Sequence, residues 1–181
     1  DIIFDAEDAA TDTLALPSNT KLIVWDEKTF APAGNITINS GAGTAWDGTM
    51  ELRATSTLSA AGTQSHTVGG SFIVGSGASF SPANSTITFT ATTTGKVITP
   101  RTSSFYNIVF NGVDGNWAFT GSATSSNDFT ISNGTVTLPS STTTVGGSFQ
   151  NTGGTFMHNN GALVLTSTAT GKSIRVNGSN L

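Results

Sequence analysis

The chain has 181 residues, of which 36% are hydrophobic and 10% are charged, whereas an average soluble domain has about 25% charged residues. The formal net charge is −4 and the seven Lys and Arg residues are scattered, so we expect no nucleic-acid partner, which needs clustered cations. Cysteine is absent, which excludes disulfide bonds and cysteine sites. No stretch approaches the ~20 apolar residues of a membrane-spanning helix, so we expect no membrane insertion.

Residues 1–50 are the less regular part of the chain. Nine of the 11 acidic residues lie within the first 51 positions, and residues 1–15 are rich in Asp and Ala. Apolar runs at 22–24, 36–38 and 50–52 indicate strands. We therefore predict an atypical N-terminal coil, a cap or a linker region with strands over residues 1–50.

From residue 72 onward, short runs place apolar side chains at alternate positions, which is the period of a strand with one buried face. These runs are 72–74, 87–89, 108–110, 117–119, 129–131, 136–138 and 163–165. Asn-Gly and Asp-Gly pairs stand between many of them, and both residue types accept the positive φ of tight turns. No window has a helical stripe, so the sequence predicts an all-β fold.

An internal repeat organises the second half of the chain. Residues 67–98 and 144–174 align, first through VGGSF at 68–72 and 145–149, an offset of 77. After a gap of one residue, Gly95-Lys96 matches Gly171-Lys172 at an offset of 76. We predict repeat copies at about 67–143 and 144–181, the second truncated. We also expect the natural array to continue beyond Leu181, because a repeat unit does not bury its own open end.

The length of the repeat indicates the fold. A unit of 76 or 77 residues is too short for two immunoglobulin-like domains of about 100 residues each. It suits about three coils of roughly 25 residues, each with two or three strands and inward-facing residues stacked in ladders. The sequence thus predicts a parallel β-solenoid (β-helix) over residues 51–181. The alternative is an array of β-sandwich domains.

Several segments resemble a known class of protein. TVGGSF, SFYNIVFNG, NDFTISNGTVTL and TATGK are similar to the repeats of large bacterial cell-surface, adhesin-like β-helical exoproteins, over about residues 65–181. The resemblance implies an extracellular or cell-surface location and a structural role in a stalk, sheath, fibre or filament. It implies copies of the chain, neighbouring repeats or cell-surface polysaccharide as partners. It brings no catalytic residue, and residues 1–50 depart from it.

Two tryptophans are candidates for contact with a glycan. Trp25 adjoins Asp26, and Trp46 adjoins Asp47, so that an indole would stack on a sugar ring while a carboxylate accepts hydrogen bonds from its hydroxyls. A carbohydrate- or surface-binding module is therefore the alternative function. Trp117 alternates with Phe119 and is expected in the core.

The remaining chemistry-bearing residues indicate no metal or cofactor site. His66 and His158 are the only histidines, fewer than the three or four ligands of a zinc site, and we expect both in surface turns. Asp5, Glu7, Asp8 and Asp12 match no calcium-loop spacing. They are expected to form a solvated acidic end.

We also expect no enzymatic activity. Residues 69–181 contain two carboxylates, Asp114 in an Asp-Gly turn and Asp128 at the start of a strand. Polysaccharide hydrolysis needs paired carboxylates, and turn chemistry explains both residues. No serine lies in a Gly-x-Ser-x-Gly elbow between a strand and a helix.

Overall fold

The computed structural model describes residues 1–5, 13–41 and 47–178. In this part of the chain every regular element is a strand, and every strand pairing is parallel. The strands are β1 (Ile2–Phe4), β2 (Leu14–Leu16), β3 (Leu22–Val24), β4 (Thr29–Phe30), β5 (Ile36–Ile38), β6 (Met50–Leu52), β7 (Thr57–Ser59), β8 (Ser65–Val68), β9 (Phe72–Val74), β10 (Ser79–Ser81), β11 (Thr86–Phe89), β12 (Lys96–Thr99), β13 (Asn107–Phe119), β14 (Ala123–Ser125), β15 (Phe129–Thr137), β16 (Thr142–Val145), β17 (Phe149–Asn151), β18 (Thr155–Met157), β19 (Ala162–Leu165) and β20 (Ile174–Arg175).

The strands form three sides of a coil that makes about eight turns. The first side contains β1, β3, β6, β9, β12, the second halves of β13 and β15, and β18. The second side contains two three-stranded sheets, one of β4, β7 and β10 and one of β14, β16 and β19, and Phe105 of the turn between them forms a bridge with Ser125. The third side contains β2, β5, β8, β11, the first halves of β13 and β15, β17 and β20. The chain follows the first, second and third sides in that order and returns to the first.

Side chains alternate between the inside and the outside of this coil. In β11, Ile87 and Phe89 are buried while Thr86 and Thr88 are half-buried. Thr is β-branched and suits the outer face of a strand. The low charge of the sequence therefore reflects a surface made largely of strand-forming hydroxyl residues.

Aromatic rings stack along the core from turn to turn. Phe129 and Phe149 are direct partners in adjacent strands, with ring centroids 5.3 Å apart and an interplanar angle of 26°. Phe89 and Phe110 pair in the same way at 5.0 Å and 16°. Each such pair contributes roughly 0.5–1.5 kcal/mol beyond its buried area. At about 4.8 Å per turn, the eight turns form a stack about 38 Å long.

The predicted parallel β-solenoid is confirmed. The strands within residues 1–50 belong to the same three sides, since β3 pairs directly with β6. The proposed role of residues 1–50 as a cap or linker stays a prediction, and the alanines and acids at 6–12 lie outside the described residues.

The coil is tighter and its repeat less simple than the sequence indicated. Adjacent partners lie between 19 residues apart (Trp117 and Val136) and 30 residues apart (Thr37 and Thr67). Val68 is on the third side, whereas its repeat equivalent Val145 is on the second side. One repeat of 76 or 77 residues thus covers three turns and two further sides, which is about 3.7 turns. The mean is therefore about 21 residues per turn. The expected three coils of roughly 25 residues were wrong because two copies need not occupy the same side.

Candidate functional sites

The residues shared by the two repeat copies make the same contacts between turns. The Oγ atom of Ser71 accepts a hydrogen bond from the Val97 N–H at 3.0 Å. The Oγ atom of Ser148 accepts one from the Ser173 N–H at 3.2 Å. Each serine belongs to the GGS segment of its copy and each donor follows the lysine of Gly-Lys. The motif therefore joins consecutive turns, although the copies lie on different sides.

The second glycine of each motif lies against an acidic residue of the preceding turn. A Cβ atom on Gly70 would clash with the carbonyl oxygen of Asp47, and one on Gly147 would clash with the carboxylate of Asp128. A side chain at either glycine would push the two turns apart. These glycines are thus required by the close approach of the turns.

The lysine of each copy interacts with the same acidic residue that its glycine approaches. Lys172 Nζ donates to Asp128 Oδ1 at 2.9 Å and to Asn127 Oδ1 at 3.0 Å. Burial alone would raise the pKa of Asp128, but the Lys172 ammonium and the Ser148 N–H together hold it below its usual range. This carboxylate is stabilised in its charged form, which suits an ion pair between turns.

The corresponding Lys96 is buried. Burial lowers the pKa of Lys96, and the carboxylate of Asp47 opposes that shift. Asp47, one of the four predicted glycan-contact residues, is itself only 4% exposed. The structure therefore places Asp47 inside the stack, where its charge acts on Lys96.

Trp25 lies at the surface near the N-terminal end of the stack. Its side chain is 37% exposed, and the guanidinium of Arg53 lies 4.7 Å from the centroid of its ring. Arg53 also pairs with Glu51, Nε to Oε1, at 3.1 Å. Asp26 is exposed in the turn that follows Trp25. The tryptophan is therefore held by a cation on one face, next to an exposed carboxylate.

Trp46, the second tryptophan of the predicted glycan contact, lies outside the described residues. Glycan contact at Trp25, Asp26, Trp46 and Asp47 stays a prediction. Trp117 is fully buried, as expected from its alternation with Phe119, and its Nε1–H donates to the Gly70 carbonyl at 3.3 Å.

His66 is inside the fold, so its expected place in a surface turn was wrong. It is 1% exposed and its Nδ1 accepts the Ile36 N–H at 3.0 Å. Burial lowers the pKa of His66 to about 4. The residue occupies an inward position of β8, where the alternation Ser65, His66, Thr67, Val68 places it beside Val68. In the sequence, this alternation was the signal that His66 faces the interior.

An open cleft of about 550 Å³ lies where the third side meets the first, across several consecutive turns. It is lined by hydroxyl, amide and carboxylate groups and by glycines, among them Thr94, Asp114, Asn116, Asn133, Thr135 and Gly153. Sequence reasoning assigned these Asn-Gly and Asp-Gly segments to turns alone. The signal for a cleft was the recurrence of glycine at this corner, at Gly115, Gly134 and Gly153 in three consecutive turns.

Within residues 1–5, 13–41 and 47–178, no group of three or more His, Asp or Glu residues is placed to hold a metal ion. Glu7, Asp8 and Asp12 of the predicted acidic end lie outside these ranges.

No helix in the described part of the chain has the length and apolar character needed to span a membrane.

Comparisons of the chain with protein-family models, with curated proteins and with solved structures give no match.

Proposed function

We propose that this chain is a structural segment of an extracellular or cell-surface β-solenoid, acting in a stalk, sheath, fibre or filament. The observation that carries the proposal is that the residues shared by the repeat copies make contacts between consecutive turns. Ser71 and Ser148 bond the next turn, and Gly70 and Gly147 allow turns to approach. What the copies have in common is therefore the means of stacking, which is what a rod needs.

Exposed apolar residues at both ends of the stack favour partners that are themselves β-solenoid turns. Ile2 and Ile3 of the first turn are 42% and 49% exposed, and Val164 and Ile174 of the last turn are 40% and 53% exposed. Exposed apolar side chains on strand edges favour pairing with further strands. The proposed partners are neighbouring repeats or copies of the chain, and the proposal includes no catalytic step.

The proposed extracellular or cell-surface location is tested with an antibody raised against the folded chain. The antibody is applied to intact and to permeabilised cells that produce the parent protein, meaning the natural protein that contains this chain. We expect equal labelling of both, with an antibody to a cytosolic protein labelling only the permeabilised cells. Electron microscopy of the extracted parent protein should show rods about 20 Å or more in width, since three packed strands and their side chains set that scale. Labelling only after permeabilisation, or compact particles, would contradict the proposal.

A second candidate function is binding of cell-surface polysaccharide at Trp25. The exposed indole, held by Arg53 at 4.7 Å, and the adjacent exposed Asp26 favour it. Replacing Trp25 with Ala should abolish retention of the chain on a polysaccharide column, while Met157→Ala, at another exposed position, should not. Equal retention of both variants would exclude this site.

A further inference from the structure

The cleft between the third and first sides owes its shape to an insertion in one turn. In β13, residues 112–115 separate Asn111 from Asn116, whereas their partners in β15, Asn133 and Thr135, are separated by one residue. The extra residues project from the stack, and Val113 is 61% exposed. The insertion thus forms one wall of the cleft.

Glycines form the floor of the cleft because consecutive turns approach closely there. Gly134 has a φ of +78°, and a Cβ there would lie 2.8 Å from the ring of the buried Trp117. The next turn contributes Gly153 and Gly154, which line the same cleft. Gly153 is exposed, so a ligand in the cleft has access to its backbone and to the polar groups around it.

The walls are held in place before any ligand arrives. Asn133 Nδ2 donates to Asn111 Oδ1 at 2.7 Å. The Gly154 N–H donates to Asn151 Oδ1 at 3.0 Å, and Asn151 is fully buried. Asp114, within the insertion, has a left-handed backbone conformation with a φ of +64°. Groups fixed in advance lose little entropy on binding, which favours recognition by a shallow site.

The chemistry of the lining selects the class of ligand. None of the described residues that line the cleft is cationic and Asp114 is acidic, so the lining disfavours an anion. Among the described residues that line the cleft, Asp114 carries the single carboxylate. A tight calcium site needs six to eight oxygen ligands, usually from several acidic side chains, so the cleft does not suit calcium. The remaining groups are the amides of Asn116 and Asn133 and several threonine hydroxyls. Such a set donates to and accepts from neutral hydroxyl groups.

We propose that this cleft binds an uncharged saccharide, with Asp114 accepting hydrogen bonds from its hydroxyls and the two asparagine amides donating to and accepting from it. Val113 contacts the apolar face of the sugar at the cleft edge. The site is distinct from Trp25, and it adds an adhesive property to the proposed structural role. Because the cleft is open, the affinity is on the order of millimolar for a short oligosaccharide.

The test is an NMR titration of the ¹⁵N-labelled chain with four neutral probes, namely the hexasaccharides of cellulose, mannan, amylose and chitin. We expect at least one to give saturable shifts at the amides of Asn116, Gly134 and Gly153. Asp114→Asn should raise the dissociation constant of that saccharide about tenfold or more, because losing a hydrogen bond to a charged group typically weakens binding about tenfold. Asparagine accepts positive φ, so the backbone is kept. Thr135→Trp should fill the cleft and abolish binding.

Matched controls separate this site from the surface elsewhere. Glu27→Gln removes an exposed carboxylate outside the cleft, also at a positive φ of 63°, and Thr124→Trp adds the same bulk to an outward position on the second side. Both should bind as the unchanged chain does. Absence of saturable shifts with all four probes overturns the proposal. So does binding that survives Asp114→Asn and is lost in Trp25→Ala, which would assign the saccharide to Trp25.

Discussion

Ser71 Oγ accepts a hydrogen bond from the Val97 N–H at 3.0 Å, linking two consecutive turns at a point where Ser71 is 3% exposed. Replacing Ser71 with Ala leaves that N–H without its acceptor and should lower the free energy of unfolding by about 1–3 kcal/mol. Urea denaturation measures the change. Ser59→Ala, at a half-exposed strand position, is the control and should shift stability by under about 0.5 kcal/mol. Equal effects of the two would show that the Ser71 bond contributes nothing.

Close approach of turns makes Gly70 intolerant of any side chain. A Cβ there meets the backbone of Asp47 and Gly48, so Gly70→Ala should destabilise the fold by more than about 3 kcal/mol or prevent folding. A Cβ at Gly121 would meet no atom within 4 Å, and Gly121→Ala should be neutral within about 1 kcal/mol. Thermal melts by circular dichroism compare the two, and a normal melt for Gly70→Ala would refute the packing argument.

The aromatic ladder should dominate the stability of the second repeat copy. Phe149 is fully buried and lies between Phe129 and Phe156, with centroids at 5.3 and 5.1 Å. Phe149→Ala should cost about 3–5 kcal/mol. Val113→Ala, at a position 61% exposed, should leave the midpoint of chemical denaturation unchanged. A small effect of Phe149→Ala would mean that the last turns are not packed on the rest.

Stability should fall with acid through His66. Burial depresses its folded pKa to about 4 from the ordinary 6.5, so below pH 6.5 the unfolded chain takes up the proton first. The stabilisation is complete above pH 6.5 and is lost as the pH falls towards 4, by about 3 kcal/mol in total.

Denaturation midpoints at about pH 7, 5.5 and 4 measure this dependence. Asparagine at position 66 keeps an acceptor for the Ile36 N–H and does not titrate, so His66→Asn should flatten the curve. His158→Asn is the matched control and should retain the slope of the unchanged chain. An unaltered slope in His66→Asn would exclude His66 as its source.

The solenoid was predictable because its two signals are local. Alternating apolar residues such as Ile87 and Phe89 define inward faces, and Asn-Gly turns define corners. The offset of 77 between Val68 and Val145 indicated the unit length. The number of residues per turn was not predictable, since the spacing between partners ranges from 19 to 30 and depends on how much chain each corner holds.

The candidate sites were less predictable because they depend on contacts between turns. The sequence marks Asp47 and Asp26 alike as acids that follow a tryptophan. Only the stacking of turns buries Asp47 near Lys96 and leaves Asp26 exposed. The cleft likewise forms from segments of four successive turns, from Thr94 to Thr155, none of which forms a cleft by itself.

The shift of the repeat by one side gives any array built from this unit a screw-like surface. Equivalent outward residues of successive copies point in directions about 120° apart, since the cross-section has three sides. A given feature would return to the same direction after three copies, which is about eleven turns or roughly 53 Å of rod. Such a rod displays each copy's surface all around its circumference, so a partner approaching from any direction meets the same chemistry at a different height.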